Sequence, residues 1–390
     1  MPHRDVMHGS RAVAEAVRLC DVKVVAAYPI TPQTHIVEDI AEMVANGELD
    51  AEYIMVESEH SAMSACIGAS ATGARSFTAT ASQGLALMHE VLWIASGLRL
   101  PIVMVNANRA LSAPINIWND QSDSIAERDS GWIQIYVETA QEALDSVIQA
   151  YRIAEDAEVL LPAMVCMDGF VLTHTVEPVE VPDREQVREY LPELRMPHTL
   201  DPENPITMGS LGDPNYYMEC RKQQELAMER ALEVARRADE EFRRVFGRGY
   251  GVVEEYNMED AEVVLVTMGS VAGTIKDTID MLGDESVGLL RLRLFRPFPK
   301  EAVRRALANA KVVNVIEKDV SIGMGEGALM TELKSVLYGS DIKVLGTVAG
   351  LGGRDITTGH IRQAVERAQR ALRGERVDEV AWAGLKEEAV

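Results

Sequence analysis

Along the first 170 residues the hydrophobic positions switch repeatedly between two spacings. Three-to-four spacing predicts a helix over 8–19, with the N-terminal residues leading straight into it, and a short apolar run predicts a strand over 22–27. The alternation continues with helix 32–45, strand 53–56, a small-residue helix over 61–72, strand 76–81, a helix from Ser82 to Ser96 and an almost wholly aliphatic strand over 101–105. After a less regular stretch, 111–129, come strand 132–137, helix 141–155 and strand 163–167. Continuous aliphatic strands are those buried on both faces. Strands separated by single helices imply a parallel, doubly wound α/β sheet, because each crossover returns the chain to the same end of the sheet.

The pattern breaks between Pro178 and Pro214, where seven of the chain's 15 prolines fall. That density excludes a regular helix or a central strand. Two readings fit: an extended arm docked through Leu191, Leu194, Met196 and Leu200, or a loose linker. A charged helix over 217–246 follows, apolar at Met228, Leu232, Ala235, Phe242 and Phe246 and stopped by Gly247. A second, smaller α/β unit begins near Ala261, with strands 263–268, 287–294, 312–316 and 342–348 and helices 272–282, 300–310, 328–338 and 359–372. The residues after Gly374 read as a terminal appendage. The expected organisation is an α/β unit over 1–176, the arm and long helix over 177–256, and a second α/β unit over 257–390.

Composition narrows the function classes. With 61 acidic against 38 basic residues the formal charge is −23, which argues against nucleic acid or an anionic membrane as partner, since both need a positive surface. No apolar run reaches the length of a membrane span. Cys20, Cys66, Cys166 and Cys220 are far apart and form no C-x-x-C pair, so this chain alone is not expected to build a zinc or iron–sulfur site. Few cysteines and no hydrophobic leader point to the cytoplasm. The glycine-rich stretches 323–327 and 350–355 lack dinucleotide-binding spacing, and there is no Walker motif.

Ligands of open α/β sheets sit beyond the carboxyl ends of the strands, and three such junctions carry polar residues. Thr31 precedes Pro32 at an expected helix start: a hydroxyl cap explains it, and so does a place beside a small anion at a helix N-terminus. Glu59 opens the small-residue helix, where an acidic side chain complements the helix dipole; catalysis is the sharper reading. Arg109 follows the aliphatic strand, either solvated or gripping a carboxylate in a bidentate pair.

Their order along the chain carries a family resemblance. Tyr28-Pro-Ile-Thr-Pro32, Glu59, Thr78-Ala-Thr-Ala-Ser-Gln-Gly84 and Asn108-Arg-Ala-Leu-Ser-Ala-Pro114 resemble the alpha subunits of 2-oxoacid:ferredoxin oxidoreductases, and Asn108–Pro114 with Trp132-Ile-Gln is similar to the pyruvate branch. Asp168-Gly-Phe, His174-Thr-Val-Glu-Pro178, Arg296-Pro-Phe-Pro299 and Gly352-Gly-Arg-Asp-Ile-Thr357 extend the likeness over most of the chain. The resemblance implies a thiamine-diphosphate-fold pyrimidine domain followed by a domain like the carboxy-terminal one of transketolases. It implies reversible oxidative decarboxylation of pyruvate with CoA to acetyl-CoA and CO2, electrons passing to ferredoxin, or the same chemistry on 2-oxoglutarate or a branched 2-oxoacid. It gives Glu59 to the pyrimidine N1′ and Thr31 and Arg109 to the pyruvate carboxylate. Magnesium, the diphosphate and the [4Fe-4S] clusters are expected on beta, gamma and delta partner subunits, in keeping with the lack of a Gly-Asp-Gly motif followed by Asn-Asn. Outside this family, a non-catalytic nucleotide- or CoA-binding module with a Rossmann-like core is the competing reading.

Overall fold

The computed structural model describes residues 2–390. The first half runs β1 (His3–His8), α1 (Gly9–Leu19), β2 (Val24–Ala27), α2 (Thr34–Ala45), β3 (Glu52–Met55), α3 (Glu59–Ala71), β4 (Ser76–Thr80), α4 (Ser82–Leu87), α5 (His89–Gly97), β5 (Val103–Asn108), α6 (Ser122–Ala126), β6 (Ile133–Tyr136), α7 (Ala140–Ala154) and β7 (Ala163–Asp168). Then come β8 (Val176–Val181), α8 (Arg184–Tyr190) and the long α9 (Tyr217–Phe246). The second half holds β9 (Val253–Tyr256), β10 (Val263–Thr267), α10 (Val271–Leu282), β11 (Val287–Leu292), β12 (Leu294–Arg296), α11 (Lys300–Ala306), β13 (Val312–Glu317), α12 (Ala328–Val336), β14 (Lys343–Val348), α13 (Thr358–Leu372) and β15 (Val380–Trp382).

The expected doubly wound sheet is present, in the order β12-β6-β7-β5-β4-β2-β3, with β2 to β7 parallel and only β12 antiparallel. Strand periodicity sorts its two faces. Val25, Val103, Val105 and Val165 pack with α1, α2 and α7, while Ala26, Met104, Met164 and Cys166 pack with α3 and α5. The second face shares its core with the second sheet, through Trp132, Tyr136 and Phe295 into Leu290, Val264 and Leu329. That second sheet has the order β15-β14-β13-β10-β11-β9, antiparallel only at β9, and α10 and α13 cover its outer side.

Several local expectations give way to tertiary contacts. The N-terminal residues form a strand before the helix: β1 pairs antiparallel with β8, from His3 opposite Val181 to His8 opposite Val176. His8 then caps α1, its Nδ1 accepting from Arg11 N–H at 3.1 Å. Pro178 is tolerated because this ribbon has only two strands. The proline-rich segment does contain a helix, α8, short enough to fit between Pro182 and Pro192 and capped by Asp183 accepting from Glu185 N–H. The expected helix from Ser82 to Ser96 breaks at Met88 into α4 and α5. The strand expected over 101–105 shifts to β5, which reaches Asn108. The strand expected over 287–294 divides, because β12 leaves the second sheet to pair with β6 of the first. The residues after Gly374 supply β15, an edge strand beside β14.

The two sheets are joined by a buried ionic cluster. Glu142 on α7 accepts from Arg291 Nη1 at 2.9 Å and Nη2 at 3.2 Å, and from Arg293 Nε at 2.9 Å. Arg293 also donates to Ser146 Oγ and Gln149 Oε1, and Arg291 Nε to Glu254 Oε2 at 2.6 Å. Arg291 is 2% exposed, Arg293 3% and Glu142 1%. Removing one member of such a group strands the others without compensation in a low-dielectric interior. Glu142→Ala is expected to cost about 3–5 kcal/mol, read as a lowered urea midpoint; a variant as stable as the parent would contradict this role for the cluster.

Candidate active site

The winding of the first sheet reverses at β2, which lies between β3 and β4. A crevice therefore opens at the carboxyl ends of these strands, where the helices leaving them diverge to opposite faces. Thr31, Glu59 and Arg109 all lie on this edge, after β2, β3 and β5.

Glu59 is the first residue of α3, behind the cap Ser58, whose Oγ accepts from Ser61 N–H at 3.2 Å. It is 7% exposed, and no described residue donates a hydrogen bond to its carboxylate. The carboxylate therefore remains able to accept a hydrogen bond from a group placed in the crevice. Above it crosses α4, and Gly84 is what allows the approach: a Cβ there would lie 2.7 Å from Glu59 Oε1 and 2.5 Å from Thr80 Oγ1. Thr80 Oγ1 is itself buried and has no partner. The fold thus holds two unspent polar groups at one point beneath a glycine.

Thr31 is not the helix cap that Thr31-Pro32 suggested. A turn closes first, with Gln33 N–H donating to Ile30 O at 2.8 Å, and α2 begins at Thr34. The anchor of this loop is Gln33, fully buried, whose Nε2 donates to Tyr28 O and Ala79 O, both at 2.9 Å. Thr31 is left with an exposed side chain. Its carbonyl accepts from Arg109 Nη1 at 3.1 Å, so the structure brings these two residues into contact. Arg109 Nε donates to Asn116 O at 2.8 Å, and Nη2 has no partner among the described residues. Burial, partly opposed by Asp123, draws the Arg109 pKa below its ordinary value; an anion placed at this guanidinium is favoured because little water competes for it.

Two residues that support the site were not identified from the sequence. Asp123, fully buried, accepts from Ser82 N–H, Asn106 Nδ2, Asn108 Nδ2, Arg109 N–H and Ser124 N–H at 2.7–3.0 Å. Burial pushes its pKa up while Asn106 and the backbone donors oppose the rise. One signal existed: Asn106 and Asn108, two apart on a strand, face one side and need a common acceptor. The second, Asp168 at the end of β7, joins the halves behind the site. Its Oδ2 accepts from Ser270 N–H and Lys318 Nζ at 2.9 Å and also from Ser270 Oγ. Burial disfavours its charge, yet Lys318 and Ser270 hold its pKa below the ordinary carboxylate range. No sequence signal marks Gln33 or the reach of Asp168 to Lys318, since both contacts are long-range.

Residues 15–240 match the family described as "Pyruvate flavodoxin/ferredoxin oxidoreductase, thiamine diP-bdg", and residues 261–361 match "Pyruvate:ferredoxin oxidoreductase core domain II". The chain is 62% identical to the pyruvate synthase subunit PorA of Methanocaldococcus jannaschii, covering 98% of each chain, and 54% identical to that of Pyrococcus furiosus, covering 100% of each. It is 46% identical to the ketoisovalerate oxidoreductase subunit VorA of Pyrococcus horikoshii, covering 99% of each. Among solved structures it superposes on a 2-oxoglutarate:ferredoxin oxidoreductase from Magnetococcus marinus with TM-score 0.75 at 20% identity, covering 93% of this chain and 65% of that one. It also superposes on a split-gene transketolase with TM-score 0.55 at 13% identity, covering 95% and 100%. The chain belongs to the pyruvate flavodoxin/ferredoxin oxidoreductase family.

Proposed function

We propose that this chain is the alpha subunit of a pyruvate synthase, which with its partners converts pyruvate and CoA reversibly to acetyl-CoA and CO2 and passes electrons to ferredoxin. The observation that carries the site assignment is the buried, donor-free carboxylate of Glu59 under Gly84, with the Thr31–Arg109 pair on the same sheet edge. The group that fits there is the aminopyrimidine of thiamine diphosphate, which when bound supplies an electron sink for decarboxylation. Glu59 hydrogen-bonds the ring nitrogen N1′ and holds or releases a proton at that atom. Gly84 lets α4 lie against the carboxylate without displacing it. Arg109 presents its unpaired Nη2 to the substrate carboxylate, and the Thr31 hydroxyl, free and exposed, donates beside it. Residues 1–176 then serve as the pyrimidine-binding unit, 177–256 as its associated arm and helix, and 257–390 as the transketolase C-terminal-like unit, with β9 and β12 stitched across those limits.

The diphosphate and Mg2+ are assigned to a beta subunit, and the [4Fe-4S] clusters to beta, gamma and delta partners. Cys20, Cys66 and Cys166 are buried in the core of this chain and Cys220 is exposed and alone, a poor set for a cluster. Surface chemistry favours such an assembly. The elements flanking α3 expose Met55 (81%), Ile54, Leu87 and Ile94, an apolar surface suited to a partner subunit. No described helix is long and apolar enough to cross a membrane; the cytoplasm is the proposed compartment. The ketoisovalerate relative keeps a branched 2-oxoacid as the alternative substrate, and 2-oxoglutarate stands beside it. Family membership sets aside the non-catalytic nucleotide- or CoA-binding reading.

Isolated, the chain should neither turn over pyruvate nor retain thiamine diphosphate through gel filtration, and both should return with the partner subunits. In the assembled complex Glu59→Gln is expected to lower turnover about a hundredfold or more without loss of subunits; near-parental turnover would remove Glu59 from the mechanism. Gly84→Ala should leave the complex assembled but cut its thiamine diphosphate content, measured after denaturation, because the methyl group displaces Glu59. Rates with a viologen dye on pyruvate, 2-oxoglutarate and 2-ketoisovalerate decide the substrate, with pyruvate expected to be fastest.

A further inference from the structure

Arg109 is held from two sides, and the second hold comes from an unexpected place. Nη1 rests on the Thr31 carbonyl and Nε on the Asn116 carbonyl. Asn116 belongs to the connection between β5 and α6, whose residues 111–118 are largely exposed. An exposed loop does not fix a carbonyl by its own packing; it needs a clamp. Here the clamp is supplied by the turn after β14, on the second sheet. Asn116 Nδ2 donates to Gly352 O at 3.1 Å, and Gly352 N–H donates to Asp120 Oδ2 at 3.1 Å. Asn116 Oδ1 accepts from Trp118 N–H at 2.7 Å, and Asp120 Oδ1 accepts from Ser122 N–H and Oγ, so both ends of the loop are tied.

The turn is shaped for this contact. Gly352 (φ +61) and Gly353 (φ +82) adopt left-handed backbone that side chains disfavour. A Cβ on Gly352 would lie 2.6 Å from Asn116 Nδ2, and one on Gly353 would collide with Trp118. Two successive glycines therefore serve a close approach between halves of the chain more than 230 residues apart.

We infer that the Gly352–Gly353 turn is a positioning element for Arg109, acting through Asn116, and so sets the affinity for the substrate carboxylate from outside the substrate-binding unit. This rests on the reading of Arg109 as the carboxylate-binding residue. The guanidinium is a rigid planar fork whose value lies in its orientation. Freed at Nε, it rotates and loses alignment with the anion, which weakens substrate binding while Glu59 and the chemical step are untouched.

The test uses the assembled oxidoreductase and four variants: Asn116→Ala, Gly352→Ala, the double variant, and Arg109→Lys as reference. Asn116→Ala lies on an exposed loop and keeps the experiment valid should Gly352→Ala fail to assemble. Each single variant is expected to raise KM for pyruvate about tenfold, with kcat lowered less than about threefold and KM for CoA unchanged. The double variant should be no worse than the weaker single one, since both cut the same link. Effects that multiply in the double variant overturn the inference. So does a raised KM in Arg109→Lys alone, with Asn116→Ala and Gly352→Ala at parental values, which leaves the carboxylate reading intact. A parental KM in Arg109→Lys instead removes that reading itself, and the inference with it.

Discussion

The relation between the two sheets depends on charges that have been taken out of water. Arg291, near the end of β11, and Arg293, in the bend just after it, meet a single carboxylate, Glu142, on a helix of the first sheet. Two buried guanidinium groups cannot remain where they are unless Glu142, Glu254, Gln149 and Ser146 are also in place. The geometry demanded is specific, because planar forks pair well at only a few angles. An apolar seam would tolerate sliding; this one fixes register. Lys318 and Asp168 repeat the principle closer to the site.

That rigidity has a consequence for the chemistry. The strand ends that carry Thr31, Glu59 and Arg109 belong to the first sheet, yet the environment behind them is completed by the second. β12 adds an antiparallel edge to the first sheet, Ser270 and Lys318 hold Asp168 at the end of β7, and Gly352 grips the loop that holds Arg109. The second unit thus fixes the surroundings of Arg109 from more than 230 residues away. Glu59 shows the converse arrangement. The residue is largely buried by its own chain, yet no described residue donates to its carboxylate, which is the state expected of a group whose counterpart arrives with a ligand.

Much of this architecture was legible from short-range pattern. Nearly continuous apolar runs gave β7, β10 and the first half of β5, because a strand buried on both faces has few polar positions to interrupt it. The placement of Thr31, Glu59 and Arg109 at one edge followed from βα alternation, since right-handed crossovers send every strand's carboxyl end the same way. Their roles came from resemblance, as position alone leaves Glu59 an ordinary first-turn glutamate. The illegible parts share one cause. β1 has no amphipathic signal of its own and exists through pairing with β8; β12 and β15 are three-residue strands defined only by their neighbours.

The sequence alone determined the doubly wound sheet and put Thr31, Glu59 and Arg109 forward as candidates at one edge of it, because both depend on periodicity or on contiguous motifs. Tertiary structure decided which of those residues touch, what anchors them and what remains unpaired. Arg109 reaches Thr31 across 78 positions and Asn116 reaches Gly352 across 236. Contacts of that span are fixed by how whole sheets pack, and no local preference encodes them.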